Sequence, residues 1–92
     1  MIDRSLNPLF LNDFLDYSST ISNKSINTIK EYNYDISHFL KYIKYKFNMT
    51  KVSEENIKEI TITDLTLNDI EKIRLEDIHS FLGYLKTTYN SK

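Results

Sequence analysis

Cysteine is absent from the 92 residues, and glycine, proline and tryptophan contribute one, one and none. Each shortage removes a class of answer. Without cysteine there is neither a disulfide framework nor a thiolate metal site, and a reducing cytoplasm is the expected compartment. With one glycine and one proline there is little material for tight hairpins or for glycine-rich loops that cradle phosphates, which favours an all-helical chain. No apolar run is long enough to span a bilayer, and Met1-Ile2-Asp3-Arg4 lacks the basic-then-apolar run of a signal peptide. No residue set supports chemistry either. Glu54-Glu55 and Glu76-Asp77 are adjacent pairs that splay apart on a helix, and His38 and His79 fall in different segments without a zinc-like spacing. No metal, cofactor or small-molecule substrate is expected.

What remains is an ordinary globular composition, 40% hydrophobic and 27% charged, in a length that fits one domain over residues 1–92. The net charge of −1 conceals an uneven distribution. Residues 24–51 hold six lysines against two acids, whereas residues 1–23 and 52–92 are both net acidic. Positive charge is thus gathered at the middle of the chain, a modest footprint for a polyanion.

That middle stretch is the longest periodic one. Ser25 is placed to cap a helix over residues 25–47, in which Ile29, Tyr32, Ile36, Phe39, Leu40, Ile43 and Phe47 recur every three or four residues. The opposite side presents Asn27, Lys30, Tyr34, His38, Lys41 and Tyr45 to a partner. Before it, Asn7-Pro8 opens a helix over 8–18 with Leu11, Phe14, Leu15 and Ser18 inward. Ser18-Ser19-Thr20 breaks it, and Ile21 is expected to fold back on the core. Residues 49–66 show no sustained period and read as an exposed connection, ordered or else a mobile insertion, with a helical turn near Asn56 and a β-prone Thr61-Ile62-Thr63. Thr66 and Asp69 mark the start of a short helix near 67–73. A last helix over 75–89 buries Ile78, Phe81, Leu82, Leu85 and Tyr89, with Gly83 a mid-helix weakness that a closely packed neighbour would offset.

Three motifs then align with a known family. Phe14-Leu15-Asp16, the series Ser25-x-Asn27-Thr28-Ile29-x-x-Tyr32-x-x-Asp35-Ile36-x-x-Phe39-x-x-Tyr42-Ile43, and Ile73-x-x-x-Asp77-Ile78-x-x-Phe81-Leu82-x-x-Leu85 resemble the N-terminal core-binding, SAM-like domain of tyrosine recombinases of the phage-integrase and Xer type. The resemblance implies a small helical bundle that clamps double-stranded DNA, self-associates with neighbouring recombinase protomers and leaves cutting to a separate catalytic domain. It implies DNA contacts from Lys24, Ser25, Asn27, Thr28, Lys30, Tyr34 and Lys41. A helix start and a Ser/Thr hydroxyl suit phosphate, and lysines release counterions. The chain departs from the family pattern at Asn33 and Tyr34, often basic in relatives, and in a longer connection after Asn48. Arg74 stands where a capping Ser or Thr is common, and the sequence ends at Ser91-Lys92 where a fourth helix is expected.

Two readings compete with DNA binding. In a helical protein–protein interaction module the same apolar stripes form an assembly interface and the lysines serve solubility. A small catalytic domain lacks the residues it would need. Three main helices leave apolar surface uncovered, so self-association or helix exchange is expected.

Overall fold

Proline at position 8 fixes the backbone where the chain turns into its first helix, and from there every regular element of the described residues is helical. The computed structural model describes residues 4–89. It contains α1 (Leu9–Thr20), α2 (Ile26–Lys46), a 3-10 turn (Glu54–Glu59), α3 (Leu67–Ile70) and α4 (Leu75–Tyr89). The expected all-α small bundle is therefore the observed one. The place expected for a fourth long helix lies outside the described residues. Among the described residues no helix is long and apolar enough to cross a membrane.

The helix ends follow local chemistry. Ser25 Oγ accepts the Thr28 N–H at 3.2 Å and so satisfies one orphan donor at the start of α2. At the other end Asn48 takes the left-handed conformation (φ 58°), and the N–H groups of Met49 and Asn48 return to the carbonyls of Lys44 and Tyr45. This is a Schellman stop in which asparagine substitutes for glycine. The Asp69 carboxylate accepts from the Thr66 N–H and hydroxyl, so α3 starts where the sequence places it.

The start of α1 differs from the expectation. Pro8, not Asn7, is the cap, and the Asn7 amide instead donates to Asn12 and Asn33, tying α1 to α2. The helix also runs through Ser18-Ser19 to Thr20, whose hydroxyl bonds back to the Asp16 carbonyl at 2.8 Å. Ile21, beyond that end, is exposed and does not return to the core.

The largest departure is in residues 49–66. The core consists of Leu11 and Leu15 of α1, Ile29, Leu40, Tyr42 and Ile43 of α2, Phe81 of α4, and Ile57, Ile60, Ile62 and Leu65 from the supposed connection. The segment is not an exposed loop; it packs along α2, and Thr61-Ile62-Thr63 forms no strand. It is held by Lys44, a buried lysine whose ammonium donates to the Thr61 carbonyl and to Asp64 Oδ1, both at 2.7 Å. The Lys44 ammonium holds the Asp64 carboxyl below its ordinary range.

A second staple fixes α4. Asp77 is buried, whereas its neighbour Glu76 is exposed. It accepts the Arg74 N–H at 2.8 Å through one oxygen and the Lys46 ammonium at 3.0 Å through the other. These two donors, in that order, pull its carboxyl below the usual carboxylate range. Only Phe81 of the expected α4 stripe is buried. Leu85 is half-buried, while Ile78, Leu82 and Tyr89 are exposed, as is Leu75. Gly83 meets nothing: a Cβ there would find no atom within 4 Å, so close packing does not explain it.

Candidate nucleic-acid interface

The start of α2 and the face running along it bring together most of the residues picked from the sequence. Lys24 precedes the helix, exposed, its N–H donating to the Ser18 carbonyl at 2.9 Å. Ser25 is the cap, and its hydroxyl donates to Thr28 Oγ1 at 3.0 Å. Asn27 and Lys30 are exposed, and neither Lys24 nor Lys30 forms an ion pair among the described residues. Asn27, Lys30, Tyr34 and Lys41, spaced by three, four and seven, lie on one face. Thr28 is rotated away from it and half-buried.

The lower half of that face is more occupied than expected. Lys41 is half-buried and donates to the Lys58 carbonyl at 2.9 Å. Tyr34 is exposed, and its hydroxyl accepts from the Lys58 ammonium at 3.1 Å. Lys58 also sits over the Tyr89 ring, 4.9 Å from its centre, so the 3-10 turn is bridged to both α2 and α4. Contacts with Tyr89 and Tyr34 hold the Lys58 ammonium above its ordinary value. Lys58 was missed because it lies in a segment without periodicity, and only its spatial position beside Lys41 reveals it. Of the six central lysines, Lys44 and Lys46 are spent on internal ion pairs, which leaves a smaller basic surface than the sequence count implies.

His38 is corrected outright. It belongs not to the polar face but to the interior, 6% exposed, in an aromatic surround of Tyr34, Phe81, Tyr84 and Tyr89. Its Nε2 shares a 3.1 Å hydrogen bond with the Tyr84 hydroxyl. Burial lowers its pKa from 6.5, the ammonium groups of Lys58 and Lys41 lower it further, and Asp35 opposes them. The fold therefore holds a neutral imidazole. Below 6.5 the unfolded chain takes up the proton first, so His38's contribution is complete above that pH and is lost as pH falls through the lowered folded value. The thermal midpoint should be flat near pH 7.5 and fall from about pH 6.5 downward. His38→Gln should remove that part of the slope, whereas the Asp64 and Asp77 contributions are lost only at more acid pH. A wild-type midpoint that stays flat between pH 6.5 and 5 would contradict this.

No group of three or more His, Asp or Glu is placed to hold a metal ion among the described residues. No protein-family model matches the chain, and no solved structure does. One curated protein, tyrosine recombinase XerC of Caldanaerobacter subterraneus subsp. tengcongensis, is 37% identical over 79 residues, which is 85% of this chain and 22% of the relative. The chain thus spans about a fifth of the length of the protein it matches.

Proposed function

We propose that this chain is a DNA-binding domain of a tyrosine recombinase, one that grips duplex DNA through the start and polar face of α2 and does no cutting itself. The match to a tyrosine recombinase over 85% of the chain carries the reading. The geometry adds a surface suited to it. Lys24 and Lys30 are exposed beside the capped start of a 21-residue helix and form no ion pair among the described residues. Free N–H groups and ammonium groups there suit phosphate oxygens, and Asn27, exposed between them, has the amide that reads a base edge. Residues 1–92 form one domain in this reading, and strand cutting belongs to another part of the protein.

Binding of duplex DNA should therefore weaken steeply with salt, at about 0.9 in log K per log salt for each phosphate neutralised. A fluorescence-anisotropy series from 25 to about 300 mM salt measures that slope. Salt-independent behaviour, or no duplex binding at the lowest salt, would remove the DNA reading and favour the interaction module.

Protomer contact is the second part of the proposal. Leu75, Ile78 and Leu82 make an exposed apolar stripe along α4, the kind of surface that marks an interface. The sedimentation coefficient should rise with protein concentration, and Leu82→Glu should hold it at the monomer value. A monomer at every concentration would refute this part alone.

A further inference from the structure

The lysines that reach along α2 divide into two kinds. Lys44 and Lys46 each meet a carboxylate, Asp64 and Asp77. Among the described residues Lys41 and Lys58 meet neutral oxygens, the Lys58 carbonyl for the first and the Tyr34 and Tyr89 hydroxyls for the second. An ammonium carries three protons, so both keep donors unspent, and the Tyr34 hydroxyl, which accepts from Lys58, keeps its own proton to give.

These groups converge. Tyr34, Ser37, His38, Lys41 and Lys58 line one concavity of about 270 Å³. That is several times the roughly 30 Å³ share of a single water, room enough for a phosphate group. The two cations are near enough to oppose each other: burial first, then Lys58, lowers the Lys41 pKa. Among the described residues neither lysine forms an ion pair; Asp35 acts on His38 from one side, and Glu54, Glu55 and Glu59 line the neighbouring concavity that Lys58 also borders. Lys44 and Lys46 each pair with a carboxylate; here the fold sets two ammonium groups side by side with no ion pair of their own among the described residues.

Position indicates which anion. Lys41 shares the α2 face with Asn27 and Lys30. Eleven residues of helix separate Lys30 from Lys41, about 17 Å at 1.5 Å per residue, of the order of the ~12 Å width of a major groove. A duplex held at the helix start would present a second backbone stretch to this concavity.

We propose that Lys41, Lys58 and the Tyr34 hydroxyl form a phosphate pocket for a backbone phosphodiester of bound duplex. The proposal rests on the DNA-binding reading above and adds a residue of the 3-10 turn, Lys58, to the contact set.

The test uses the full chain and two probes. In the first arm, Lys58→Gln and Lys58→Arg are compared with wild type in the duplex salt series. The pocket predicts that Lys58→Gln lowers the slope by about 1 and the affinity at 0.1 M salt by roughly tenfold. Lys58→Arg, which keeps the charge, should retain the slope, and unchanged thermal midpoints confirm folding. In the second arm, inorganic phosphate and dimethyl phosphate are titrated at constant ionic strength while the His38 ring signals are followed by NMR. A saturable shift that disappears in Lys58→Gln is expected. Duplex binding with the same slope in wild type and Lys58→Gln overturns the pocket and leaves the DNA reading standing. No duplex binding, with a phosphate shift that needs Lys58, keeps the anion pocket and overturns the duplex as its source. Absence of both overturns both.

Discussion

Replacing Ile62 or Ile57 by alanine should cost about 2–5 kcal/mol of folding stability each, the range for truncating a fully buried aliphatic side chain. The two are 2% and 1% exposed. They lie in a segment without long secondary structure, where a surface-loop substitution would be worth within about 0.5 kcal/mol. A domain of 92 residues has roughly 5–14 kcal/mol in total, so one such change removes a large share. Each kcal/mol shifts the midpoint of a domain of this size by about 4–8 °C, and a fall of 10 °C or more in thermal melts is expected. Leu82→Ala, on the exposed side of α4, is the control and should barely move it. If Ile57→Ala and Ile62→Ala behave like Leu82→Ala, the segment is not part of the core.

The second large effect is on binding. Lys24→Glu with Lys30→Glu should leave the thermal midpoint nearly unchanged, because both side chains are exposed and form no ion pair among the described residues. The same pair should lower the duplex salt slope by about 2 and the affinity at 0.1 M salt by roughly a hundredfold, a tenfold loss for each phosphate contact. Lys44→Glu is the instructive contrast. It would leave a carboxylate beside Asp64 and the Thr61 carbonyl, where an ammonium now bridges both, and should damage folding first. Loss of binding without loss of stability in the first variant, and the reverse in the second, separates the surface lysines from the structural ones. If Lys24→Glu/Lys30→Glu binds duplex as wild type does, the helix start is not the contact.

How far these assignments were legible depends on the range over which each is determined. The α2 stripe and its Ser25 cap were visible because 21 residues of one period average out exceptions. Thr66 and Asp69 were visible because a cap is decided within three residues. Residues 49–66 were opaque for the opposite reason. Ile57, Ile60, Ile62 and Leu65 are spaced by three, two and three, through a 3-10 turn and extended chain, and fit neither helical nor strand periodicity. The pairings of Lys44 with Asp64 and Lys46 with Asp77 span 20 and 31 positions, beyond any local pattern. His38 lies between the faces of α2, and only the docking of α4 turned it inward. Of the residues proposed for DNA, Lys24 and Lys30 were legible as exposed cations, but Lys41's engagement and its pairing with Lys58 depended on tertiary structure.

In this account duplex DNA meets the polar face of α2 and not the exposed apolar stripe of α4. NMR chemical-shift mapping of the full chain during titration with a short duplex at low salt tests it most directly. Perturbations concentrated at Lys24–Lys30, Tyr34, Lys41 and Lys58, reversed by added salt, are predicted. Perturbations confined to Leu75, Ile78 and Leu82, or none at saturating duplex, would contradict it.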